Sequence, residues 1–130
     1  MHHLISSNRG LVHAAHVAAA FKDWLRAEGD RLVEAADLLG GAPWRERAEA
    51  VIAAAANGVP LHALRADLAA LNALLTLEPT DDPWSAEAAR FLAVDPDDPR
   101  ATTAMLCAEA LERGLGALDR LEGAQVQEAA

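Results

Sequence analysis

The sequence predicts an all-α protein: a compact bundle of four main antiparallel helices plus one short helix. Three observations carry this. Alanine makes up about a quarter of the chain, tyrosine is absent and aromatic residues reach only 4%. Such a composition favours helices and lacks the β-branched and aromatic residues that sheets pack. Six prolines fall where helices begin or have just ended. Between them apolar residues recur at spacings of three and four, and no segment joins β-branched residues to a period of two. The 130 residues suit a single domain. Its core is expected over about 8–122, with 123–130 a frayed tail because its apolar pattern fades.

The first helix is expected over 8–39, opened by Ser7 or Asn8. Ala14, Val17, Phe21, Trp24, Leu25, Leu32, Ala35 and Leu39 share its core face. Gly29 inside it costs ~1 kcal/mol against Ala, and Asp30 behind it can cap a new helix, so a break at 28–30 stays open. The second helix, 43–57, begins at Pro43 and carries Trp44, Ala48, Val51, Ile52 and Ala55 on one side. Gly40 and Gly58 stand as C-terminal caps with positive φ. The third helix, 60–77, begins at Pro60 and presents Leu61, Leu64, Leu68, Leu71 and Leu75 as a heptad seam. Leu74 and Leu77 are displaced from that seam. The short fourth helix, 83–94, has Trp84, Ala88, Phe91 and Leu92 on its apolar side. The fifth, 99–122, repeats the heptad spacing with Ala104, Ala108, Leu111, Leu115 and Leu118. Asp82 before Pro83 and Asp98 before Pro99 are N-caps that also favour the positive end of the helix dipole, while Pro79 and Pro96 sit past helix ends.

Charge removes one class of function. Eleven Lys+Arg face twenty Asp+Glu, for a net charge of −9. Nucleic-acid binding requires clustered cations, and the chain has no basic run; anionic membrane surfaces are disfavoured alike. No stretch approaches the ~18 consecutive apolar residues of a membrane span. Residues 10–21 imitate a signal peptide, but His13 and His16 interrupt them and the pattern continues into Trp24 and Leu25 at helical spacing. A cytoplasmic protein is expected. Cys107 is the single cysteine, so no intrachain disulfide forms, and it reads as a small buried hydrophobe.

Candidate chemistry is sparse. His13 and His16 share a face, and with His62 they form the one set of imidazoles that could hold a metal if the first and third helices are neighbours. Their spacing matches neither His-Glu-x-x-His nor Glu-x-x-His, and no metal or cofactor is expected. His16 with Lys22 nearby suggests a phosphotransfer bundle by size alone, without the residue pattern of one. Glu78, Asp81, Asp82, Asp95, Asp97 and Asp98 read as capping residues and lack the glycine and spacing of a calcium loop. Asp67, Glu109 and Glu112 read as solvated faces. Gly114 and Gly116 have no strand before them, so they allow a close helix crossing or a kink and are no nucleotide fingerprint.

What remains is a non-enzymatic protein–protein interaction or adaptor module that self-associates as a homodimer or joins a helical partner. A helix with leucines on two faces needs two covers, which makes Leu64, Leu68, Leu71, Leu74 and Leu75 candidate interface residues; Trp44 and Trp84 join them as anchors near bundle ends. The competing reading is a histidine-based metal- or ligand-binding bundle, sensory or phosphotransfer-like. A coat for an apolar granule is disfavoured, because six helix-punctuating prolines specify a compact bundle.

Overall fold

Two long antiparallel helices set the frame. The computed structural model describes residues 2–76 and 85–129, with side chains for 9–76, 85–86 and 89–123. Helix α1 spans His2–Gly40, about 58 Å at 1.5 Å per residue, and α5 spans Pro99–Ala129. They pack antiparallel: the Phe21 ring of α1 lies on Gly114 of α5, and nearer the start of α5 Cys107 faces Glu28 and Arg31. Helices α2, Ala42–Ala56, and α3, Arg65–Leu75, complete the bundle. The short α4, Ala86–Ala93, rests on α1. The described residues contain no strand, and the architecture is the expected all-α bundle.

Several boundaries differ from expectation for physical reasons. Helix α1 begins at His2, ahead of Ser7 and Asn8, and passes Gly29 without a break. Gly29 is buried because Ile52 of α2 packs on it; an added Cβ would lie 3.1 Å from that side chain. The missing side chain costs helix propensity and lets α2 approach. The positive-φ residue between α1 and α2 is Gly41, not Gly40. Its φ of 79° and ψ of −165° fall in a region essentially reserved for glycine. The Gly41 N–H donates to Asp37 O of α1 and the Gly41 carbonyl accepts from Arg45 of α2, so one residue joins the two helices. Gly40 is small for another reason: the Trp44 ring occupies the space its Cβ would fill.

Gly58 caps α2 as expected, with φ 90°. Its N–H donates to Ala55 O at 3.2 Å and that of Val59 to Ala54 O at 3.0 Å, the paired bonds of a Schellman turn. The expected third helix opens as a 3₁₀ turn, Leu61–Leu64, before α3 begins. No side chain caps that end, and three-residue bonding tightens it instead. Helix α5 starts as expected: the Asp98 carboxylate accepts the Arg100 N–H at 2.9 Å and grips the Arg100 guanidinium at 2.8 Å. Together these hold the Asp98 carboxyl below the usual carboxylate range. Asp95 accepts the Asp97 N–H at 2.9 Å, so this acidic cluster builds a turn and a cap. Helix α5 continues to Ala129, through the residues expected to fray.

The core is leucine and alanine. Leu25, Leu32, Leu68, Leu71, Leu74 and Leu111 are its largest fully buried side chains, and no polar or charged residue is buried among the described residues. The heptad leucines of α3 and the Ala104–Leu118 series of α5 face inward as expected. Two ion pairs clamp the outside: Arg47 of α2 to Asp67 of α3 at 2.9 Å, and Arg65 of α3 to Asp119 of α5 at 3.1 Å.

Candidate functional site

The leucines singled out on the third helix are covered within one chain. Leu64, Leu68, Leu71, Leu74 and Leu75 are all buried, Leu74 to 1% exposure. Helix α3 touches α1, α2 and α5, so its second leucine face already has a cover. Trp44 is half-buried at the α1–α2 corner, with the Arg47 guanidinium 5.3 Å over its ring. Trp84, Leu77, Pro79, Pro83 and the acids Glu78, Asp81 and Asp82 lie outside the described residues.

Apolar surface is exposed elsewhere. Leu92 is 81% exposed, Met105 67%, Val12 and Leu106 56% each, and Phe91 is also exposed. Phe91 and Leu92, expected on the apolar side of the fourth helix, do not enter the core; Val94, just past the helix, packs there instead. Met105 and Leu106 fall between the heptad positions Ala104 and Ala108. Their off-seam placement is the signal in the sequence that marks them as outward-facing.

His13 and His16 do share a face, and it is the rim of a groove. The groove runs along the outer seam of α1 and α5, has a volume of about 320 Å³, and is floored by Val17, Ala20, Phe21 and Ala110. Trp24 closes one end, its ring stacked on Phe21 with centroids 6.1 Å apart. Arg113 and Gly114 complete it from α5. The α1 residues that meet α2, Leu25 and Arg26 among them, lie on a different stripe of the helix. His62 stands apart on the 3₁₀ turn and is not a lining residue. Among the described residues no group of three or more His, Cys, Asp or Glu side chains converges as a metal site would require.

The remaining candidates are structural. Burial in the α1–α5 seam pushes the Cys107 thiol up to about 11, with Glu28 adding to the shift and Arg31 opposing it, so the sulfur stays protonated at neutral pH and is a poor nucleophile. Asp67 is engaged by Arg47, and Glu109 and Glu112 are exposed. No helix among the described residues is long and apolar enough to cross a membrane. Comparison with known protein families, with characterised proteins and with solved structures finds no match for this chain.

Proposed function

We propose that this chain is a non-enzymatic protein–protein interaction module that pairs with a second copy of itself through the apolar side chains it leaves in water. One observation carries the reading: Phe91 and Leu92 on α4 and Met105 and Leu106 on α5 are exposed while the interior is filled by other residues. Covering a large aliphatic side chain is worth ~1.5–3 kcal/mol, so several together favour association. The net charge of −9 opposes self-pairing, but salt screens it beyond a Debye length of ~8 Å. The same charge speaks against nucleic-acid partners. A single buried cysteine suits a reducing cytoplasm.

Sedimentation equilibrium at micromolar concentration and moderate salt tests the proposal. A dimer is expected for the wild type and a monomer for Leu92→Asp and Leu106→Asp, with unchanged helical circular dichroism. A wild type that stays monomeric, or a dimer indifferent to both substitutions, overturns it.

A further inference from the structure

We propose that the groove between α1 and α5 binds a small apolar carboxylate, with the ligand's body against Trp24 and its charged head between Arg113, His13 and His16. The proposal does not rest on self-pairing, although the two surfaces adjoin where Trp24 and Leu106 line one hollow.

The hollow has a cause in the sequence. Along this seam α1 contributes Ala20 and α5 contributes Ala110, where bulkier residues would fill the space. The Phe21 ring takes the place of a side chain at Gly114 and is itself only 4% exposed. The half-buried Trp24 ring, stacked beside it, supplies the aromatic surface open to a ligand. The volume of about 320 Å³ sits at the small end of the ~300–1,000 Å³ range of ligand sites, which suits one or two fused rings or a short chain.

The polar groups select the ligand's sign. The chain carries 20 acids against 11 bases, yet no acid lines the groove; its polar lining is His13, His16 and Arg113. Arg31, Arg45, Arg47, Arg65 and Arg100 each pair with a carboxylate; Arg113 shares with Arg9, Arg26, Arg90 and Arg120 the lack of such a partner among the described residues, and of these five it is the one that lines the groove. An arginine fork matches a carboxylate with two parallel hydrogen bonds, and an imidazole N–H adds a further donor. A rim of one fixed cation and two imidazoles, set over an apolar lining, thus fits an amphiphile with one negative head. Hydrogen bonds to a charged group contribute roughly 1.5–3 kcal/mol, enough to separate an acid from its neutral amide.

The test is a titration of the isotope-labelled protein with 1-naphthoate, followed by backbone amide and indole resonances, with 1-naphthamide as the neutral control. Saturable shifts are expected at the Trp24 indole, at 13–20 and at 110–114, and the amide should bind about tenfold more weakly. Arg113→Gln should remove that preference. Ala20→Leu, an exposed position, should fill the groove and abolish the shifts without changing circular dichroism. Equal binding of acid and amide overturns the proposal, as does binding that survives Ala20→Leu. Shifts confined to Phe91, Leu92, Met105 and Leu106 would also overturn it, by assigning the probe to the self-pairing surface.

Discussion

At Gly114 the Phe21 ring rests where a β-carbon would stand, and one turn fraction later Gly116 faces open solvent with nothing within 4 Å of its own missing Cβ. The two glycines of one motif therefore make opposite predictions. Gly114→Ala should force Phe21 out of position at a cost of about 1–3 kcal/mol, the usual penalty of overpacking. Gly116→Ala should stabilise α5 by up to ~1 kcal/mol through helix propensity alone. Urea denaturation of the two variants checks both signs. The motif's place on a helix was legible in the sequence, which offered a close crossing or a kink as its use. Which glycine does the work was not, because that depends on the register of α1 against α5, and periodicity along one helix carries no information about its neighbour. The same limit hid Arg113: His13 and His16 are visible as one face of α1, but the residue opposite them is fixed only by packing.

Among the elements, the joint between α1 and α2 is the most constrained. Gly41 adopts φ 79° and ψ −165°, and an added Cβ would also meet the Arg90 guanidinium at 2.7 Å. Gly41→Ala is expected to lower stability by about 1–3 kcal/mol, while the same change at Gly58, in open space with φ 90°, bears the backbone strain without the steric contact and should cost less. Thermal unfolding of both variants compares them. The sequence pair Gly40-Gly41 announces a turn, but which of the two adopts positive φ is settled by the Trp44 ring lying on the first. The leucine seam of α3 was readable from spacing alone. The cover over Leu74 was not, since α3 packs among three other helices whose placement spacing does not give, and neither was the exposure of Phe91 and Leu92. An eight-residue helix has too few turns for its pattern to say which side is buried.

Across the whole molecule, charge pairs on the surface link elements that hydrophobic contact holds together. The Arg65 side chain holds the Asp119 carboxyl below its usual range, tying α3 to α5, and Arg100 does the same for Asp98 at the start of α5. A carboxyl that titrates lower in the folded chain than in the unfolded one contributes stability that is fully present above its unfolded pKa. That stability is lost as pH falls through the folded value. The protein should therefore weaken in acid below the ordinary carboxylate range, and Asp119→Asn should flatten the acid limb of a stability–pH curve while lowering the neutral plateau. Asp119 is exposed and Asp98 half-buried beside an exposed Arg100, so added salt should shrink the effect, most of all for the Arg65–Asp119 pair.

The pairing of α1 with α5 also dictates an order of events during synthesis. Helix α2 follows α1 after a single residue, so those two can close a hairpin through local contacts, which form fast. The stripe of α1 that bears Phe21 has no such nearby mate; its cover is α5, which is made well after α1 and α2. Until then that apolar stripe is naked on the nascent chain, in the condition that invites wrong contacts and chaperone capture.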